Sequence, residues 1–370
     1  MDIFYLYLML TTIVFLFNKK ASLVMVFIGA SYFLYTLPTT GWDYDIYKIT
    51  YENSYFTTSF PFFKTITRLT SEPFYLWYNS LIGVIIGQDF VYFLVINFII
   101  SAIVAHYTFK PFYKIYEYYF WIMIFPVIFP IIFYFSPRSS LSFFLVLFGF
   151  LLLITDRRKK SFLLFFIAIN LHSQYLLVIA LILITYYSFR TIQTQRKPKY
   201  LNTIIIYSLI LYVFLFTLNS LTSVIGAIAS FLPAEELIMV KLGYFEKAER
   251  GIRITSILSV LVYPIFAFLM ANKETSVFLT NKKHDELLKY LILAIIAYGA
   301  VINIAFIDMP HVIGRLSRFS DYVGMTILIP TYFRLYFKRA VLNIVILLFA
   351  LLSPILFPTI YTNTNWFFGF

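Results

Sequence analysis

Residues 139–160 read "SSLSFFLVLFGFLLLITDRRKK", and this stretch decides the fold class. No side chain is charged from 139 to 155, and then every residue from Asp156 to Lys160 is. Wound as a helix, an apolar run of this length matches the hydrocarbon thickness of a bilayer. The basic cluster behind it marks the cytoplasmic side, so Arg138, one residue ahead of the run, belongs to the external side.

Outward from this span the same pattern recurs. Apolar runs of membrane-crossing length cover 21–37, 90–108, 200–218, 252–271, 287–304 and 340–358. The 370 residues are 61% hydrophobic and 12% charged, with a mean hydropathy of +0.85. A soluble domain of this length needs more polar surface than that supplies. The net charge of +12 therefore marks cytoplasmic loops and not a nucleic-acid partner. No cysteine is present, which removes disulfides and thiolate chemistry. The four histidines, at 106, 172, 284 and 311, lack metal-ligand spacing, so no metal and no cofactor is expected. "MDIFYLYLMLTTIVFLF" begins with an acid at its second position and runs into "NKK", reading as a first span and not a cleaved signal.

The basic groups at Lys19/Lys20, 156–160, 190–199, 281–283 and 334–339 all map to the cytoplasm. From 157 onward the crossings alternate cleanly, leaving His172, the 219–250 loop and "DMPHVIGRLSRFSDY" (308–322) outside. Between Lys20 and Arg157, about five apolar segments stand where an even number is required. One must enter and leave on one side. The candidates are 116–138, broken by Pro126, Pro130 and Pro137, and a half-span in 54–63. The expectation is an all-α, polytopic integral membrane protein of roughly 12 transmembrane segments. It forms one transmembrane domain over 1–370, with external half-helices and with external loops around 38–71 and 219–250. The second of these, with "PAEELIMVKLGYFEKAERG", is amphipathic and either caps an external opening or rests on the bilayer. No internal repeat is visible.

A set of ionisable residues gathers at the external span ends: Asp43, Asp45, Glu72, Arg138, His172, Arg315, Arg318 and Asp321. Each alone serves equally well as an interfacial anchor. Together they say more, because Arg138, Arg315 and Arg318 are all arginine, whose planar fork binds phosphate with two hydrogen bonds. Arg315 and Arg318, three apart, share a helix face. Pro73 suits a first helical turn, and Glu72 before it gains from the helix dipole. His172, in "NLHSQY", titrates near neutrality and suits acid–base work. Aromatic residues near "TGWDYDIY" (40–47), Tyr47 among them, can stack on sugar rings.

The order of these pieces resembles the EpsG-like group of Wzy-type polysaccharide polymerases. They read Gly41-Trp42-Asp43-Tyr44-Asp45-Ile46-Tyr47, Glu72-Pro73-Phe74-Tyr75, Ser136-Pro137-Arg138-Ser139, His172-Ser173, and Arg315-Leu316-Ser317-Arg318 with Asp321-Tyr322. Where that group often carries Gln after the first arginine, this chain has Ser139. The resemblance implies a metal-independent glycosyltransferase of the bacterial inner membrane, with its active site facing outward and a fold like the C-type glycosyltransferases. Its donor and acceptor are glycan repeat units on undecaprenyl diphosphate, in O-antigen or exopolysaccharide synthesis. Membrane lipid and a chain-length regulator are the further partners it suggests. Under it Arg138, Arg315 and Arg318 meet the diphosphate, and His172 and Asp43 compete for the role of base. Glu72, Asp45, Tyr47 and Asp321 join the substrate-binding set.

Three rivals share the composition. A lipid-linked glycan flippase or transporter would more often carry repeated halves and charges within its spans on both sides. An O-antigen ligase uses closely related chemistry, and only the order of the motifs favours a polymerase. A membrane O-acyltransferase needs an acyl-donor path from the cytoplasm, whereas these candidates lie outside.

Overall fold

The computed structural model describes residues 3–36, 44–56, 72–87, 89–112, 115–124, 137–192, 198–220, 257–306 and 316–356. Among these, all the extended secondary structure is helical. Four helical stretches are long and apolar enough to cross a membrane: Phe90–Phe109, Pro137–Ile154, Tyr200–Thr217 and Lys282–Ala305. The chain divides into two compact units, Met1–Leu176 with Phe333–Phe370, and Leu177–Tyr332.

The first unit opens with a helical hairpin, α1 (Ile3–Phe17) and α2 (Lys19–Thr36). Asn18 turns the corner, its Oδ1 accepting the otherwise orphaned N–H groups of Lys20 and Ala21. Next come α3 (Tyr44–Phe56), α4 (Pro73–Ile86), α5 (Phe90–Phe109) and α6 (Ile115–Ile124). A second hairpin, α7 (Pro137–Ile154) and α8 (Arg158–Leu171), follows. Its turn places Asp156 at φ 60°, a left-handed conformation. Side by side along the hairpin, Gly149 gives room for the ring of Phe165.

Ring contacts fix the directions. Tyr35 meets Tyr92 and Phe27 meets Phe98, so α2 and α5 run antiparallel. Asn97 reaches Pro137 and Ser140, and Ser101 reaches Ser140, so α5 and α7 start at the same end. Trp121 of α6 packs on Phe27, Phe98 and Phe144. Nearly every residue of α7 is buried, as suits a helix that is apolar on all sides. One end of this unit thus carries Lys19, Lys20, Lys110, Arg157 and Lys159. The other carries Pro137, Arg138 and the C-terminus of α8. The last helix of the unit, Arg339–Leu356, packs on α1 and α6.

The 44–56 stretch, expected as part of an external loop, is helical because Tyr44, Tyr47 and Tyr51 fall on one face. All three are buried, against Phe90, Tyr75 and Phe93. The Tyr51 hydroxyl donates to the carbonyl of Gly87, closing the corner before α5.

The second unit contains α9 (Tyr175–Ile192), α10 (Pro198–Ser220), α11 (Tyr263–Ala271), α12 (Lys282–Ala305), α13 (Arg318–Val323) and α14 (Ile329–Tyr336). Here α12 is the buried centre, packed by α10, α11 and α13. Two π-helical turns, Leu258–Val262 and Gly324–Leu328, interrupt what the sequence offers as plain spans. From the first turn of α12, buried Asp285 accepts the N–H groups of Val277, Phe278 and Leu279 at 2.9, 2.6 and 2.7 Å. Lys289 pairs with it at 3.5 Å and donates to the carbonyls of Lys273 and Thr275. The loop between α11 and α12 is therefore tied down along its length.

Candidate active site

Three chain segments meet at Glu72. Pro73 starts α4, and Glu72 is its N-cap, in extended conformation with a side chain that makes no capping bond. The carboxylate is thus free to reach elsewhere. Its Oε2 accepts from Nη1 of Arg138 at 2.9 Å. Its Oε1 bonds Nδ1 of His172 at 2.7 Å and accepts from the backbone N–H of Ser173 at 2.8 Å and its Oγ at 3.2 Å.

Local sequence explains why His172 stands there. It ends α8 with an extended backbone (φ −155°, ψ 105°), while its N–H still closes the last turn onto Ala168. Its carbonyl then accepts from Tyr175 as α9 begins. The short "LHS" turn presents the ring and the Ser173 amide to the same carboxylate. Tyr175 packs against the His172 ring and donates to the carbonyl of Ser139, locking the turn onto α7.

Arg138, at the second position of α7, lies with its guanidinium 5.3 Å from the ring centroid of Tyr47. Tyr47 meets Tyr75 edge to face. The Nε of Arg138 is buried and makes no hydrogen bond, while the side chain as a whole remains 35% exposed. Glu72 and His172 are more enclosed, at 11% and 8%. Burial pushes the Glu72 carboxyl upward, but the His172 bond, the His172 and Arg138 charges and the Ser173 amide outweigh it. The net result lies below the ordinary carboxylate range.

Of the residues expected at the site, Glu72, Arg138, His172 and Tyr47 come together. Both oxygens of Glu72 have protein partners, so the carboxylate holds Arg138 and His172 in one place. Asp45 is exposed on the first turn of α3. Asp43 and Arg315 lie outside the described residues. Arg318 and Asp321 belong to the second unit. There Asp321 accepts from Ser259 on the first π-helical turn and from Ser317 at 2.7 Å. Ser259 carries no distinctive sequence signal, while Tyr75 and Ser173 were marked only as the last residues of the Glu72-Pro73-Phe74-Tyr75 and His172-Ser173 pieces.

Among the described residues no cluster of three or more His, Asp or Glu side chains gathers that could hold a metal. What the first-unit site offers is an arginine and a histidine whose positions share one anionic hub.

A family model described as the EpsG family matches residues 20–368, and the chain belongs to that family. Membership makes it, in general terms, a glycosyltransferase-type polysaccharide polymerase, and with its apolar helices a multi-pass membrane protein. No curated protein and no solved structure matches the chain.

Proposed function

We propose that the chain joins lipid-diphosphate-linked glycan repeat units on the outer face of the bacterial inner membrane, as a Wzy-type polymerase. One observation carries the reading. Glu72 gathers Arg138 and His172 at the end of the first unit remote from Lys19, Lys20, Arg157 and Lys159. Basic loops face the cytoplasm, so the site faces outward.

The same geometry offers an answer to the odd count of segments. The rings of α3 and α4 pack on the first turns of α5, at the site end of the unit. Taken as external half-helices, they leave α2, α5, α6 and α7 as the crossings between Lys20 and Arg157. That number is even, and no turn-back within 116–138 is required.

In the proposed reaction a hydroxyl oxygen of the acceptor sugar attacks the anomeric carbon of the donor. The anomeric C–O bond breaks, and its electron pair leaves on the lipid diphosphate, undecaprenyl diphosphate in this reading. Arg138 takes up the charge that develops there. The hydroxyl proton passes to His172. Because a carboxylate only accepts, the Nδ1 bonded to Glu72 carries hydrogen, so in the neutral ring that takes the proton Nε2 is the basic nitrogen. Tyr47 backs the guanidinium with its ring.

The test uses purified protein in detergent with one defined lipid-diphosphate repeat unit, products being read by mass spectrometry. Wild type gives a ladder spaced by one repeat. Arg138→Ala and His172→Ala lower its rate by on the order of 10²-fold or more. A folded wild type that gives no ladder with the correct substrate overturns the proposal.

A further inference from the structure

Asn97 lies within α5, a helix otherwise apolar over most of its length, and is 1% exposed. A buried amide of this kind needs partners, and it has them on two other helices. Its Oδ1 accepts from the hydroxyl of Tyr78 at 3.1 Å. Its Nδ2 donates to the carbonyl of Pro137 at 3.0 Å and to Oγ of Ser140 at 2.8 Å. Ser140 itself donates to the Pro137 carbonyl at 2.7 Å, and Ser101 adds a longer bond to Ser140 at 3.4 Å.

The two helices joined this way are those that bear the site. Tyr78 stands on α4, whose N-cap is Glu72. Pro137 and Ser140 bracket Arg138 on the first turn of α7. Neither tie touches Glu72 or Arg138, yet both fix the height at which their helices begin. Polar bonds inside an apolar bundle have few alternative partners, so they specify register where apolar packing alone tolerates sliding.

We propose that Asn97 is a positioning residue for the polymerase site: it sets α4 against α7 so that Glu72 meets Arg138 without either having to pull the other into place. This rests on the functional reading above only where activity is measured. The geometric part stands without it.

The absence of cysteine gives a clean test. Glu72→Cys and Arg138→Cys are combined, which deletes the ion pair and leaves the helix register to the remaining contacts. A short thiol–thiol cross-linker then joins the pair readily when Asn97 is present. Asn97→Leu, of similar size and without hydrogen bonds, lowers that yield several-fold, and Tyr78→Phe, which keeps the ties to α7, lowers it less. To separate register from folding as a whole, each variant is compared at equal monodisperse yield, and Tyr78→Phe serves where Asn97→Leu does not fold.

Activity is then read without the added cysteines. A slip of about 1 Å costs on the order of 10²-fold in turnover. Asn97→Leu therefore lowers kcat with little change in KM, and adds no further loss to Arg138→Ala, because it acts through Arg138. Unchanged cross-linking in both variants overturns the proposal. So does full additivity with Arg138→Ala, which marks general destabilisation. A wild type without polymerase activity but with the same loss of cross-linking overturns the functional reading and leaves the register role standing.

Discussion

A single carboxylate, that of Glu72, determines how Arg138 and His172 stand. Changing it to glutamine keeps the shape and removes the charge. An amide has one accepting oxygen, so it serves His172 and Ser173 or Arg138, not both. Hydrogen bonds to charged groups are worth about 2 kcal/mol, and Glu72→Gln is expected to cost about that much stability at neutral pH. The sign with pH follows from the lowered carboxyl pKa. A group held below its unfolded value stabilises above that value and ceases to do so as pH falls through the folded one. Thermal melts of wild type and Glu72→Gln in detergent therefore differ at pH 7, and the difference shrinks as pH falls below the ordinary glutamate value of about 4.3. Parallel curves throughout that range would show that the charge does not contribute. These residues were legible one at a time, as charges at span ends. Their meeting was not, because Glu72 stands 66 residues from Arg138 and 100 from His172. No local pattern records a bond of that range.

Helices, too, were readable where hydropathy alone decides them. The spans at 90–108 and 139–155 emerge as α5 and α7 with only their ends shifted. The helix at 44–56 escaped because its buried face is tyrosine, which reads as interfacial by composition and packs as core here. The π-helical turns escaped for another reason: they answer to contacts made across the second unit. Gly324 opens one of them, and a Cβ there would fall 2.5 and 2.6 Å from carbons of the buried Tyr263 ring. Gly324→Ala is accordingly expected to cost about 1–3 kcal/mol, read as a lower melting temperature. An unchanged melting temperature would mean that Tyr263 has room to move, and that the close approach is not what holds these helices together.

At the scale of the molecule, the outward orientation proposed for the site rests on its separation from the basic loops. Single cysteines added to this cysteine-free sequence report it directly. Ser173→Cys, beside the site, is expected to react with a membrane-impermeant thiol reagent in intact cells. Lys159→Cys, on the first turn of α8, reacts only after permeabilisation. Labelling of both from one side would overturn the outward orientation. The order of the segments along the chain has a consequence of its own. Glu72 is synthesised long before either of its partners, and its carboxylate has neither Arg138 nor His172 to hold until the α7–α8 hairpin has been inserted. A nascent chain halted before residue 172 carries the acid and lacks the site. Assembly of the proposed site therefore waits on the arrival of one hairpin, before the second unit is made, and not on the folding of the helices that precede it.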